Sequence, residues 1–392
     1  MWFSKRRIYL DCASAPPVLP EASAAMREAE KFFGNAGAIH AEGVEAKKSL
    51  ESSRSRIAAL LGCKARELLF TSGLTEANNL AIVGVARKLE QTRRSLSDTH
   101  WLVSAIEHDS VLVSFAEVER MGGSVTYLDP DGRGIVSPET VSRALRPETI
   151  FVSIGWANNE IGTIQPLGKI ARSIRTFSES QKRRITFHSD AGQAPLYLPT
   201  VINSLGVDLL SLGANKLYGP HGVGSLYISN NVTLSPVLFG GKQERGLRAG
   251  TESVALAAGF AAAFEIVADE RFTETVRLRK LRDEFVGELV ARIPSLEING
   301  DLKHALPHML NVSMPAIQSE YVTLALDHEG IAVSTKSACR EGEESRSHVV
   351  AALGGEQWRA ENTIRFSLGR DTTSVDIMKT VEALARIVKT RP

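Results

Sequence analysis

At 392 residues the chain exceeds the size at which one hydrophobic core usually stops growing, so two domains sharing an interface are expected. Hydrophobic residues make up 43% and charged residues 23%, which excludes the disordered, fibrous and disulfide-dense classes. A formal net charge of +1 supplies no global field for nucleic acid or an acidic membrane, so neither is expected as a direct partner.

The opening run Met1-Trp2-Phe3-Ser4-Lys5-Arg6-Arg7 has no continuous apolar segment after its basic residues and does not read as a signal peptide. Residues 44–61 repeat apolar side chains at helical spacing, with Gly62 as the stop. Short apolar runs at 67–70, 101–106, 150–154, 185–188 and 207–210 then alternate with helical or turn-rich segments, the pattern of βαβ units and a largely parallel sheet with helices on both faces. Residues 222–229 form a further strand after a Gly/Pro turn too short for a crossover helix, which predicts antiparallel pairing and a mixed sheet. A long helix over 254–293 follows. Its most apolar stretch, 254–264, is far shorter than the roughly 20 residues that span a bilayer, and a cytoplasmic location is expected. Strand-like runs at 310–313, 331–334 and 363–367 and a closing helix near 375–388 predict a smaller α+β domain. The expected division is 15–255 for a large domain, with 1–14 and 256–392 for a small one.

Three cysteines, Cys12, Cys63 and Cys339, match neither a disulfide framework nor a metal knuckle, and no metal site is expected. Cys12 and Cys63 lie beside apolar elements and read as packed, inert thiols.

Several polar residues fall where strands end. Lys216 follows an apolar run and precedes the turn Leu217-Tyr218-Gly219-Pro220, a place where an amine can form a Schiff base with a carbonyl cofactor, although a lysine before a turn is usually just solvated. Asp190, after the 185–188 strand, can keep a pyridine nitrogen protonated or simply cap a turn; Gln193 reaches a phenolic oxygen from the same loop. Phe70-Thr71-Ser72-Gly73-Leu74-Thr75-Glu76-Ala77-Asn78 reads as strand, glycine turn and helix start, a phosphate cradle to which Thr75 adds a hydroxyl; capping explains its Ser and Thr about as well. The absence of GxGxxG and GxxxxGK[ST] weakens dinucleotide and nucleoside-triphosphate readings. His108, after the 101–106 strand, is placed to stack on a planar ring or to be an ordinary loop histidine.

Taken together these segments resemble the class V aminotransferase-like pyridoxal-phosphate enzymes, and within them the cysteine desulfurases. Other carriers are Tyr9-Leu10-Asp11, Ser104-Ala105-Ile106-Glu107-His108, Asn158-Asn159-Glu160-Ile161-Gly162-Thr163, Asp190-Ala191-Gly192-Gln193 and Asn215-Lys216-Leu217-Tyr218-Gly219-Pro220. Further on stand Gln243-Glu244-Arg245-Gly246-Leu247-Arg248-Ala249-Gly250-Thr251, Ser337-Ala338-Cys339 and Ile364-Arg365-Phe366-Ser367-Leu368-Gly369-Arg370. The resemblance covers nearly the whole chain and implies the fold of that class, fold type I. It implies pyridoxal 5'-phosphate as cofactor, L-cysteine as substrate, and a homodimer with sites completed across the interface. Lys216 would hold the cofactor; Leu74, Thr75 and Thr251 would serve its phosphate, Thr251 from across the dimer. His108 would stack on the ring, Asp190 pair with its nitrogen, Gln193 and Asn159 contact its phenolic oxygen, and Arg365 clamp the substrate carboxylate.

Cys339 matches the family nucleophile, on a polar loop over 340–347 similar to the long-loop branch, whose mobile cysteine delivers persulfide to protein acceptors. The acceptor stays open among an iron–sulfur scaffold, a tRNA-thiolation protein and a cofactor-biosynthesis protein. Several positions depart from the pattern. Gly213-Ala214-Asn215 replaces the usual Ser-Gly-His and puts phosphate affinity in question; Lys336 replaces a glycine before Ser337; Cys12 stands for an asparagine and Lys242 for a glycine. Rival readings are a selenocysteine lyase or aminotransferase of the same fold, and a non-catalytic partner-binding protein.

Overall fold

The computed structural model describes residues 6–92, 95–335 and 346–390. Among them the strands are β1 Ile8–Tyr9, β2 Leu68–Thr71, β3 His100–Ser104, β4 Ser124–Leu128, β5 Thr149–Ser153, β6 Thr186–Asp190, β7 Leu209–Gly213, β8 Gly224–Ile228, β9 Glu297–Ile298, β10 Met309–Ser313, β11 Ile331–Ala332, β12 Ser334–Thr335 and β13 Thr363–Ser367. Seven of them make one sheet in the order β2-β8-β7-β6-β5-β3-β4. Pairing is parallel from β7 through to β4, and β8 runs antiparallel to both β7 and β2, the mixed sheet expected from its short connection.

The strand side chains split cleanly between two faces because neighbours along a strand point oppositely. Phe70, Leu102, Val152 and Leu210 join one apolar cluster with the Ala41–Leu61 and Val254–Arg292 helices. Leu69, Trp101, Val103, Phe151 and Leu209 join another, with the Leu74–Gln91 and Asp109–Arg120 helices. Burial on both faces is why β3, β5 and β7 read in sequence as continuous apolar runs. The edge strand β4, half-exposed and carrying Ser124 and Thr126, has a much weaker apolar signal and is not among the expected strands; pairing with all five residues of β3 holds it in place.

Glu244 braces the start of the sheet. Buried, it accepts from Arg54 Nη1 at 2.8 Å and Nη2 at 2.7 Å, a bidentate pair, and from the Phe70 N–H at 2.9 Å. That fixes β2 just before the turn into the Leu74–Gln91 helix.

The C-terminal third carries an antiparallel sheet, β12-β13-β10-β9. The run 331–334, expected as one strand, divides at Val333: β11 pairs in parallel with β1, whereas β12 joins β13. A further bridge from Asp11 to Ser367 draws the N-terminal segment against this sheet, which carries Ala13 and Ser14 to the edge of the large one. The Val254–Arg292 helix is continuous over 39 residues and packs on the Pro20–Ala29, Ala41–Leu61 and Ser374–Lys389 helices. Among the described residues no helix is long and apolar enough to cross a membrane.

Candidate active site

A cavity of about 410 Å³ opens at the carboxyl ends of β2, β3, β5, β6 and β7. Ligands of parallel α/β sheets bind at that edge because loops there converge from several strands. His108 lies beyond β3, Asn159 beyond β5, Asp190 ends β6 and Gln193 follows it, and Lys216 lies beyond β7. All five line the cavity, together with Leu74, Thr75 and Arg365, so eight of the ten residues singled out from sequence share one space. Thr251 is exposed and outside that lining, and Cys339 lies outside the described residues.

One wall is the start of the Leu74–Gln91 helix. Its cap, Gly73, has φ 155° and ψ −179°, a region open essentially to glycine, and no side chain caps the helix. An 18-residue helix with its first N–H groups facing a cavity is a ready anion cradle. The substitution at Gly213 has a packing correlate: a Cβ there would stand 3.0 Å from Leu74 Cβ and 3.0 Å from Asn215 Oδ1. Asn215 itself lines the cavity, so a polar amide borders the place where the usual hydroxyl is missing.

The opposite wall holds the amine. Lys216 Nζ donates to the Ala13 carbonyl at 3.0 Å and to the Ser14 carbonyl at 2.6 Å. Gln193 Nε2 donates to the same Ala13 carbonyl at 2.8 Å, leaving Gln193 Oε1 buried without a partner.

Between them runs a relay that sequence reading missed. Asn78 Nδ2 donates to Asp190 Oδ2 at 2.6 Å and to Ser110 Oγ at 2.9 Å; Ser110 Oγ lies 2.9 Å from His108 Nδ1, which also accepts from the Ser110 N–H at 3.1 Å. Because Nδ1 accepts, the proton of the neutral ring sits on Nε2. Asp190 Oδ1 accepts from the Gly192 N–H at 2.8 Å, so its carboxylate is oriented from both sides. The available signal was a polar residue, Asn78, one turn after Leu74, among helix positions that are otherwise apolar where they are buried.

Arg365 is buried and enters from β13. Its Nη2 donates to Asp11 Oδ1 at 2.8 Å and Ser14 Oγ at 2.6 Å, and its Nη1 to the Asn159 carbonyl at 2.8 Å. A guanidinium has five N–H donors, so two remain, one of them the buried and unpartnered Nε–H.

Glu107, beside His108, is buried and accepts from the Gly155 N–H at 2.7 Å. Burial pushes its carboxyl up to about 8, and the Asp190 charge adds to the rise. The folded chain therefore keeps a proton that the unfolded chain releases above its ordinary value of about 4.3. The resulting stabilisation is whole below that value and is lost as pH rises through about 8, at about 1.4 kcal/mol per pH unit. Glu107→Gln, which cannot ionise, is expected to unfold at a urea concentration close to the parent's at pH 5 and at a higher one at pH 8. Equal differences at the two pH values would show that Glu107 is not held protonated.

The two described cysteines behave as the sequence suggests. Burial pushes both the Cys12 and Cys63 thiols up to about 12. Among the described residues no cluster of three or more His, Cys, Asp or Glu side chains is arranged to hold a metal ion.

The donor set suits a planar, phosphorylated carbonyl cofactor: an uncapped helix start at one end, an amine on the facing wall, an oriented carboxylate, a neighbouring imidazole and the orphaned Gln193 Oε1. Comparison with known proteins agrees with that geometry. Residues 8–379 match the family described as aminotransferase class-V, whose members work with pyridoxal phosphate. The chain is 40% identical over 386 residues to "Cysteine desulfurase IscS" of Dictyoglomus turgidum, covering 98% of this chain and 95% of that protein. Among solved structures, a NifS-like protein superposes with a TM-score of 0.90 at 31% identity, covering 98% of this chain and all of that one. "SspA in complex with cysteine" superposes with a TM-score of 0.78 at 32% identity, over 92% of this chain and 98% of that one. Sheet, strand-end residues and full-length similarity together show that the chain belongs to the class-V aminotransferase family, on its cysteine desulfurase branch.

Proposed function

We propose that the chain is a cysteine desulfurase that works with pyridoxal 5'-phosphate. The observation that carries this reading is the gathering of Lys216, Asp190, His108, Gln193 and Arg365 around one cavity at the carboxyl edge of the sheet. Lys216 would hold the cofactor carbonyl, the N–H groups at Leu74 and Thr75 its phosphate, and Asp190 its ring nitrogen, while Gln193 and Asn159 border its phenolic oxygen. When bound, the cofactor supplies the electron sink that acidifies the substrate Cα–H and tolerates negative charge left on carbon.

The protein's own groups do the rest. Arg365 lines the cavity and would turn its guanidinium from Asp11 and Ser14 toward the substrate carboxylate. Lys216 Nζ and the His108 Nε2 position carry protons to and from the substrate. The Cys339 thiolate attacks the substrate sulfur: an S–S bond forms, the C–S bond breaks with its electron pair going to carbon, and that carbon takes up a proton. The net change is cysteine plus the Cys339 thiol giving alanine plus a Cys339 persulfide. Relatives bearing the IscS name favour a protein sulfur acceptor such as an iron–sulfur scaffold, with a tRNA-thiolation protein and a cofactor-biosynthesis protein as the other candidates. A cytoplasmic homodimer, in which Thr251 serves the phosphate site of the second subunit, and the division into 15–255 and 1–14 plus 256–392 belong to the same reading.

Purified protein supplied with pyridoxal phosphate, L-cysteine and a thiol reductant should release alanine and sulfide in equal amounts. Alanine without sulfide, or faster turnover on selenocysteine or on amino-donor and keto-acid pairs, would move the assignment to the rival activities. Arg365→Lys keeps charge but loses the fork, and is expected to raise the KM for cysteine by about ten- to hundredfold with a smaller change in kcat. An unchanged KM would remove Arg365 from carboxylate binding.

A further inference from the structure

Arg365 meets the cavity with its guanidinium already engaged by the N-terminal segment. Nη2 donates to Asp11 Oδ1 at 2.8 Å and to Ser14 Oγ at 2.6 Å, and Nη1 donates to the Asn159 carbonyl at 2.8 Å. A guanidinium presents parallel N–H groups at two edges, Nε with Nη2 and Nη1 with Nη2, so a bidentate grip on a carboxylate always uses Nη2. Both N–H groups of Nη2 are in use. A substrate carboxylate can therefore be gripped only by exchange with Asp11 or Ser14.

Those two residues form one unit. Ser14 Oγ donates to Asp11 Oδ1 at 2.9 Å, and the Ser14 N–H donates to the Asp11 carbonyl at 3.1 Å. The turn is pinned to β13 by the Cys12 N–H on the Ser367 carbonyl at 3.2 Å and the Ala13 N–H on Ser367 Oγ at 2.9 Å. Ser14 lines the cavity with Arg365, and Asp11 stands against both from outside that lining. The Asp11 and Arg365 side chains are only 19% and 4% exposed, so water and salt screen the pair weakly.

A guanidinium this buried needs a counter-charge, and Asp11 supplies one of the same chemistry as the group Arg365 would clamp. An amino acid whose carboxylate takes Nη2 exchanges one carboxylate for another. Arg365 stays paired throughout, and the displaced Asp11 charge stays close enough to oppose the newcomer. A ligand with a neutral end has no such exchange to make.

We propose that Asp11, seated by Ser14, is a specificity-determining residue: its carboxylate occupies on Arg365 the place of the substrate carboxylate, and substrate binds by displacing this internal ion pair. The inference rests on the cysteine desulfurase reading, which assigns Arg365 to the substrate carboxylate, and adds the residue that sets how tightly that group is held.

The test compares L-alanine with L-alaninamide, its neutral-ended analogue, on the cofactor-loaded protein and on the variants Asp11→Asn and Ser14→Ala. Kd is read from the absorbance change on adding each ligand, and KM and kcat from alanine formation on cysteine. Asp11→Asn keeps an acceptor for Nη2 and removes the charge. It is expected to tighten L-alanine by about tenfold and to lower the KM for cysteine by about the same factor, with L-alaninamide within about twofold of the parent. Ser14→Ala leaves the charge but removes the hydroxyl that seats it, and should tighten L-alanine by about threefold, again sparing L-alaninamide. An L-alanine Kd unchanged or weakened in Asp11→Asn would overturn the proposal, as would the same result in Ser14→Ala should the first variant fail to fold. Equal tightening of L-alaninamide would overturn it too, since that ligand brings no carboxylate to compete. A parent protein that makes no alanine from cysteine overturns the desulfurase reading and this inference with it, whereas an active parent whose variants bind L-alanine no better overturns the inference alone.

Discussion

Lys216→Ala is expected to lower alanine formation from cysteine by at least about 10⁴-fold and to abolish the cofactor's absorbance band near the edge of the visible range. The magnitude follows from two losses at one atom: the nitrogen that would hold the cofactor carbonyl and a group that moves protons at the substrate. Among the described residues lining the cavity no second lysine stands at that position, and the Nζ is seated by the Ala13 and Ser14 carbonyls, which accept but cannot donate or bond covalently to a carbonyl carbon. Partial rescue by a small external amine would separate the chemical role from a folding defect. A variant keeping more than about 1% of parental turnover would remove Lys216 from its assigned place.

Cys339→Ser is expected to reduce sulfide release by at least about 10³-fold while the absorbance band and the spectral response to added cysteine persist. Serine presents an oxygen of far higher pKa and cannot form a persulfide, so the cycle should stop after substrate binding. The other described thiols give no bypass. Cys12 and Cys63 are both pushed up to about 12 by burial, which leaves them almost wholly protonated at neutral pH. Full sulfide release by Cys339→Ser would sink the nucleophile assignment; loss of cofactor binding in that variant would show that residue 339 supports the site rather than attacking the substrate.

Strand order and register show how far sequence patterns reach. The double-face burial of β3, β5 and β7 is legible because a strand covered on both sides must be apolar throughout. The antiparallel β8 is legible because the Gly/Pro turn after Lys216 leaves no room for a crossover helix. β4 is not, since an edge strand needs little apolar content and its five-residue pairing with β3 supplies what its own side chains do not. The division of 331–334 between two sheets was equally hidden: β11 is drawn off by β1, more than 300 positions earlier in the chain.

Within the site the same boundary holds. By itself the sequence determined which side chains stand at strand ends, since periodicity and turn residues mark where each strand stops, and so it determined that Lys216, Asp190, Gln193, Asn159 and His108 are available to one cavity. Tertiary structure alone decided how they are held. The Asp190–Asn78–Ser110–His108 relay, the Ala13 and Ser14 carbonyls on Lys216, the bond from Gly155 to Glu107 and the bond from Ser347 to Glu160 each join elements that are neighbours only after folding. Strand-end placement is a local property, written in spacing of about two residues for strands and 3.6 for helices. Orientation, burial and proton affinity depend on partners dozens to hundreds of positions away, and no local pattern carries that information.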